Sequence, residues 1–178
     1  MNEPVRVALI YGSIRENRFC DTVVHWAADR VWNDSGFRLD FVDPRAPGDF
    51  ASIAAAADAF IVVTPEYNHS YPGPLKTLID GLSREWRAKP VGFVSYGGIS
   101  GGLRAVEHLR VVFGELRAVA IRESVSFAYA NSQFDGAGCP ADPDGAGRAM
   151  TAMLAELGWW ARMLRAARRD EAVKEMAA

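Results

Sequence analysis

Glycine, hydroxyl, amide and arginine groups, which bind phosphates and flat heterocycles in proteins, are concentrated in three stretches of the sequence. These stretches are residues 12–18, 64–68 and 95–102. Each follows an apolar run that predicts a buried β-strand. Because ligands of parallel α/β proteins lie at the carboxyl ends of the strands, we expect the three stretches to meet in one crevice.

The first stretch has the composition of a phosphate site. Ser13 offers a hydroxyl, Arg15 and Arg18 offer guanidinium groups, and the predicted helix after them begins with unbonded backbone N–H groups. One glycine stands where a dinucleotide site has G-x-G-x-x-G, so the stretch favours a terminal phosphate monoester over a pyrophosphate. Taken alone, it is also compatible with a solvated loop that carries two surface arginines.

The second stretch is stiffened by prolines. Pro65 and Pro72 each bias the preceding residue toward an extended backbone. We therefore expect the backbone N–H groups of Glu66, Tyr67 and Asn68 to be held out toward a flat polar ring. The alternative is a rigid turn before a helix, with no ligand.

The third stretch is rich in glycine. Gly97 and Gly98 allow the backbone to approach a planar ring closely. The stretch also matches G-x-S-x-G around Ser100, the nucleophile motif of α/β-hydrolases. That mechanism needs a histidine later in the chain, and none follows His108, so the hydrolase interpretation is disfavoured.

Strand and helix patterns alternate along the chain. Strands are predicted at residues 5–11, 39–42, 59–63, 90–96 and 118–125, helices at 21–32, 52–57, 75–82, 103–113 and 147–169, and a long surface loop at 128–144. This alternation predicts an α/β fold with a doubly wound parallel sheet and helices on both faces. The phosphate-type first turn favours the flavodoxin-like strand order 2-1-3-4-5. Without repeats or a linker, residues 1–178 are expected to form a single domain.

The composition is that of an ordinary soluble protein. Hydrophobic residues make up 49% and charged residues 24% of the 178 residues. The net charge of −2 gives no reason to expect nucleic acid or an anionic membrane as a partner. Cys20 and Cys139 form no metal-ligand or redox motif, and no signal peptide or membrane-length run is visible. We expect a cytoplasmic protein without a metal site.

Together the stretches resemble the NADPH-dependent FMN reductase family of flavodoxin-like proteins. The matching segments are Gly-Ser-Ile-Arg at 12–15 with Arg18, Thr-Pro-Glu-Tyr-Asn-His-Ser-Tyr-Pro-Gly-Pro-Leu-Lys at 64–76, Tyr-Gly-Gly at 96–98 and Gly-Gly-x-Arg-Ala at 101–105. The resemblance implies that the FMN phosphate is held by Ser13, Arg15, Arg18 and Phe19. It further implies that the flavin ring is contacted by Pro65, Glu66, Tyr67 and Asn68 and bordered by Ser95, Tyr96, Gly97 and Gly98.

The resemblance also implies an activity. FMN would take hydride at N5 from NADPH or NADH and pass electrons to a small-molecule acceptor such as a flavin or a quinone, in a homodimer or dimer of dimers. No catalytic side chain is expected, because the cofactor carries the chemistry, although Arg104 is a candidate for attracting an anionic substrate. Residues 43–49 form a shorter segment than in most relatives, which motivates an alternative: a flavin-binding electron carrier or redox sensor without efficient NAD(P)H turnover. A flavin-free scaffold is a third interpretation.

Overall fold

The strands form a five-stranded sheet in the order β2-β1-β3-β4-β5. The computed structural model describes residues 3–169. Its strands are β1 (Val5–Tyr11), β2 (Phe37–Val42), β3 (Ala59–Pro65), β4 (Pro90–Tyr96) and β5 (Val119–Phe127). Every neighbouring pair is parallel, so the carboxyl ends of all the strands lie at one edge. The predicted fold class and strand order are confirmed.

Helices cover both faces of the sheet. They are α1 (Cys20–Trp32), α2 (Phe50–Ala56), α3 (Gly73–Asp80), α4 (Leu103–Glu115), α5 (Ala130–Gln133) and α6 (Pro143–Arg169). The core on one face joins α1 and α6 to the sheet, and the core on the other face joins α2, α3 and α4. Within residues 3–169, none of these helices has both the length and the apolar composition needed to cross a membrane.

The inner strands are buried on both faces, which explains their continuous apolar runs. Along β1, Val7 and Leu9 point into the core under α1 and α6, while Ala8 and Ile10 point into the opposite core. Burying each of the larger side chains contributes about 1.5–3 kcal/mol. The loops at the carboxyl edge therefore project from a rigid base.

The predicted surface loop at residues 128–144 is mostly exposed, but it is not without helix. The short helix α5 lies within it, and α6 already begins at Pro143. Phe134 anchors the segment, since its ring packs 5.5 Å from Phe19 and 4.8 Å from Phe127, measured between ring centroids. The contact with Phe19 joins residues far apart in sequence, so local composition does not reveal it.

Candidate functional site

A cleft of about 530 Å³ opens where the loops after β1, β3, β4 and β5 converge. Its wall is formed by residues 13, 15–19, 65–67, 96–98 and 129–132. The three sequence stretches therefore do meet in one crevice. All the predicted site residues except Asn68 and Ser95 lie in this wall, and the group 129–132 was not predicted.

The loop after β1 leaves the sheet in close contact with β3. The N–H group of Gly12 donates to the carbonyl of Val63 at 2.7 Å, and a Cβ at residue 12 would lie 2.6 Å from that oxygen. Only glycine, which has no Cβ, allows the loop to lie this close to β3. The loop then enters α1 at Phe19, a cap residue without a side-chain hydrogen bond. The first N–H groups of a helix have no intrahelical acceptors, so this helix start can bind an anion.

Arg18 is buried and already paired. Its side chain is 4% exposed, and its two terminal nitrogens donate to the Asp43 carboxylate at 2.8 and 2.5 Å. Its Nε donates to Asp21 at 2.8 Å, and one of the terminal nitrogens also donates to the carbonyl of Ser13 at 2.6 Å. The hydrogen bond from Arg18 holds the pKa of Asp43 below its ordinary value. Arg18 was expected to help hold the phosphate, but its guanidinium nitrogens are already engaged by protein groups, and one of them fixes the carbonyl of Ser13 in the loop.

The short segment 43–49 braces the same loop. The Arg45 guanidinium donates to the carbonyl of Ile14 at 3.3 Å and also to the carbonyl of Arg15. Its backbone N–H donates to Asp43 at 2.9 Å. Sequence reasoning missed both Asp43 and Arg45. The available signal was their position directly after β2, since β2 is next to β1 in the predicted order.

Arg15 and Tyr67 connect the first two stretches. The Arg15 guanidinium carbon lies 3.8 Å from the centroid of the Tyr67 ring, a cation–π contact. The Tyr67 hydroxyl lies 2.9 Å from the hydroxyl of Ser13. Among residues 3–169, no carboxylate pairs with Arg15. Its exposed positive charge is therefore available to a ligand in the cleft, unlike that of Arg18.

The turn after β3 uses its N–H groups internally. The N–H of Glu66 donates to Tyr96 at 3.2 Å, and the N–H of Tyr67 donates to Ser70 at 2.8 Å. Asn68 and His69, with φ values of 50° and 68°, form the tip of a tight reverse turn. The expectation that the N–H groups of Glu66 and Tyr67 face a ligand was wrong. Asn68 is exposed and lies outside the cleft wall.

The Glu66 carboxylate ties this turn to the start of α4. It accepts hydrogen bonds from the Ser100 hydroxyl at 2.6 Å and from the N–H and guanidinium of Arg104 at 3.1 and 2.7 Å. Burial alone would raise the pKa of Glu66, but these hydrogen bonds outweigh it and keep the pKa below its ordinary value. Arg104 is thus paired with Glu66 rather than free for an anionic substrate, and Ser100 serves as a donor rather than as a nucleophile.

The glycine turn after β4 presents an open edge to the cleft. Ser95 lies beneath it, fully buried, and its hydroxyl donates to the carbonyl of Gly101 at 2.8 Å. Gly102 has a φ of 86°, and a Cβ there would lie 2.8 Å from the Cβ of Ser95, so a side chain is excluded. A Cβ at Gly98, by contrast, would meet no protein atom within 4 Å. The space beside Gly98 belongs to the cleft.

The floor of the cleft is neutral. Tyr96 is buried against Phe19, with 5.8 Å between their ring centroids. Burial raises the pKa of the Tyr96 phenol and of the neighbouring Cys20 thiol, so both groups are protonated at neutral pH. Cys20 is therefore a buried apolar residue, not a thiolate.

Comparison with known proteins decides the family. The model of the NADPH-dependent FMN reductase family matches residues 43–132, about half of the chain. The chain belongs to this family. A probable NADPH:quinone oxidoreductase of Oryza sativa is 33% identical over 165 residues, covering 79% of this chain and 81% of the relative. An NAD(P)H-dependent FMN reductase of Schizosaccharomyces pombe is 33% identical over 120 residues, covering 54% of this chain and 60% of that protein's length.

Solved structures agree on the fold. The flavoenzyme FerB of Paracoccus denitrificans, an NAD(P)H:acceptor oxidoreductase, superposes with a TM-score of 0.71 at 19% identity, covering 89% of this chain and 98% of FerB. A flavodoxin of Pseudomonas aeruginosa gives a TM-score of 0.62 at 19% identity, over 89% of this chain and 99% of the flavodoxin. At this identity the likeness concerns the fold alone.

The cleft of this FMN reductase family member fits the cofactor for which the family is named. One end offers a helix start, the hydroxyl of Ser13 and the charge of Arg15, which suit a phosphate dianion. The other end offers the open edge at Gly98 above the neutral floor formed by Tyr96, which suits a flat heterocycle. The residues present therefore fit FMN.

We expect Gly98→Ala to weaken FMN binding by about tenfold while leaving the stability of the flavin-free protein unchanged. The added methyl meets no protein atom but occupies the edge of the cleft. One extra methyl group pressed against a rigid ligand costs about 1–3 kcal/mol of binding free energy. Fluorescence titration with FMN and urea unfolding measure the two effects separately. Equal FMN affinity in the variant and the wild type would place the flavin away from this edge.

Proposed function

We propose that the protein is an FMN-dependent NAD(P)H oxidoreductase whose electron acceptor is a flavin, a quinone or a similar small molecule. The observation that carries this function is a single cleft joining an anion-binding helix start to an open glycine edge. Family membership and the printed activities of relatives support it, since these are FMN reductases and quinone reductases.

The protein's task is to bind and orient the cofactor. FMN, when bound, accepts hydride from a nicotinamide and passes electrons to an acceptor. In this chain, Ser13, Arg15 and the N–H groups at the start of α1 would hold the phosphate. Residues 65–67 and 96–98, which line the same cleft, would border the ring. Arg18 acts indirectly, by fixing the carbonyl of Ser13 and therefore the course of the loop.

The wall residues are arranged for positioning rather than for acid–base chemistry. The Glu66 carboxylate is fully engaged by Ser100 and Arg104, and the phenol of Tyr96 is held in its neutral form by burial. We therefore assign the chain no catalytic acid or base.

We also propose a homodimer or dimer of dimers, a cytoplasmic location and one flavodoxin-like domain over residues 1–178. Two large aliphatic side chains next to the glycine edge support self-association, Ile99 at 73% and Leu103 at 50% exposure. Two unpaired cysteines, Cys20 and Cys139, support a reducing compartment. The single sheet with a core on each face supports one domain.

Chromophore identification tests this function. We expect the purified protein to retain or take up FMN, and the bound flavin to bleach rapidly when mixed with NADPH or NADH without oxygen. A flavin spectrum that stays oxidised would favour the electron carrier or redox sensor. A protein that stays colourless after incubation with FMN would contradict both and favour the scaffold.

A further inference from the structure

Tyr129 is held in a backbone conformation that tyrosine rarely adopts. Its φ and ψ are 49° and 45°, in the left-handed region, where a non-glycine side chain costs free energy. The backbone around it is fixed by hydrogen bonds from the N–H groups of Tyr129 and Ala130 to the carbonyls of Gly98 and Gly97, at 2.8 and 3.0 Å. The hydroxyl and N–H of Ser132 donate to the carbonyl of Tyr129, both at 2.9 Å.

None of these bonds uses the side chain of Tyr129. Within residues 3–169, its hydroxyl makes no hydrogen bond and its ring makes no aromatic contact. The residue is 57% exposed, and it lines the cleft together with Gly97 and Gly98. Glycine would satisfy the same backbone bonds without strain. The backbone hydrogen bonds therefore do not require a tyrosine here, and strain kept at a cleft points to a role in binding.

We infer that Tyr129 is a ligand-binding residue whose ring contacts the flavin along the edge formed by Gly97 and Gly98. This inference rests on the proposed function. The backbone bonds fix the main chain of Tyr129 beside the glycine edge, and Tyr129 lines the same cleft as residues 65–67. A flat ligand at that edge covers the exposed face of the tyrosine ring. Contact between the two aromatic rings stabilises the complex beyond the burial of apolar area alone.

The test is Tyr129→Gly, for which stability and affinity change in opposite directions. Relief of the left-handed strain raises the melting temperature of the flavin-free protein by roughly 2–4 °C. Loss of the ring weakens FMN binding by about tenfold. Tyr129→Phe keeps the ring and holds the affinity within about twofold of the wild type. Calorimetry gives the melting temperatures, and flavin fluorescence titration gives the dissociation constants.

Ala88→Gly is the matched control, because Ala88 also has a positive φ, of 52°, and lies outside the cleft wall. It relieves the same kind of strain and leaves FMN affinity unchanged. Unchanged affinity in Tyr129→Gly would overturn the inference, as would a lower melting temperature, since the side chain would then support the fold. A shift in oligomeric state without a change in affinity would assign the ring to a subunit interface and overturn it as well. Failure of the wild type to bind FMN would instead contradict the proposed function.

Discussion

Replacing Asp43 with alanine is expected to lower the free energy of unfolding by about 3 kcal/mol, the lower end of the range for breaking a buried ion pair. The Arg18 guanidinium is almost completely buried, and Asp43 binds both of its terminal nitrogens. Without Asp43 this charge keeps Asp21, the carbonyl of Ser13 and the ring of Tyr11 as partners, and just one of these is a carboxylate. The loop that starts the phosphate end of the cleft then loses its support, so FMN affinity falls too. Urea unfolding and FMN titration measure the two losses.

The pH dependence of the difference between wild type and Asp43→Ala identifies the cause. Pairing with Arg18 lowers the pKa of Asp43 in the folded protein. The stabilisation is therefore complete above the ordinary aspartate pKa of about 3.9 and is lost as the pH falls through the lower folded value. The two proteins should differ by a constant amount between about pH 5 and 7, and the difference should begin to shrink below about pH 4 and vanish only below the folded pKa of Asp43. A difference that does not shrink in acid would mean that packing, not charge pairing, is responsible.

Arg15→Ala is the control that separates ligand binding from loop support. Arg15 is exposed, and its contact with Tyr67 is worth only about 0.5–1 kcal/mol at such a site. The variant should unfold nearly as the wild type does, while FMN binding weakens by about 1.5–3 kcal/mol, the scale of a charge-assisted hydrogen bond. If Asp43→Ala were no less stable than Arg15→Ala, the assigned role of Asp43 would be wrong.

Gly12→Ala is expected to destabilise the fold by about 3 kcal/mol, the upper end of the range for overpacking. The new methyl would lie 2.6 Å from the carbonyl oxygen of Val63 and 2.8 Å from the Cα of Thr64. Both are main-chain atoms of β3, so no side-chain rotation can relieve the clash. The hydrogen bond from Gly12 to Val63 must lengthen as the strands separate. Urea or thermal unfolding of the flavin-free protein measures the loss.

Gly114→Ala is the matched control, because a Cβ at this position in α4 meets no atom within 4 Å. Alanine is the better helix former, so this variant should be as stable as the wild type or more stable by up to about 1 kcal/mol. If Gly12→Ala unfolded within about 0.5 kcal/mol of the wild type, as an ordinary surface substitution does, the close approach of β1 to β3 would be refuted.

Most of the fold and the location of the cleft were predictable from the sequence. The apolar runs of the inner strands are continuous because both faces of the sheet are covered, and helices with the ordinary period separate them. In a parallel sheet of this order, the loops after β1, β3 and β4 all lie at the carboxyl edge. Strand ends were less predictable: β3 includes Pro65 and β5 continues to Phe127, because neighbouring strands extend the ladder past the local signal.

Whether each charged side chain is already paired with an opposite charge was not predictable from the sequence. Composition shows that an arginine is present but not whether a carboxylate already neutralises it. Arg18 finds its partner Asp43 25 residues away, and Glu66 finds Arg104 38 residues away. Only the folded structure shows that Arg18 is already paired with a carboxylate, whereas Arg15 is available to a ligand. Tyr129 was missed for a related reason, since left-handed backbone is normally signalled by glycine or asparagine.

The brace made by Asp43 and Arg45 limits where evolution or engineering can lengthen the segment between β2 and α2. Asp43 and Arg45 support the loop after β1, and Asp49 caps α2 by accepting a hydrogen bond from the N–H of Ser52 at 3.0 Å. Residues 46–48, which are exposed, lie between these two anchors. Loop entropy grows slowly with length, so an insertion there costs little. A longer loop grafted at these positions would leave the brace, and with it the phosphate end of the cleft, intact.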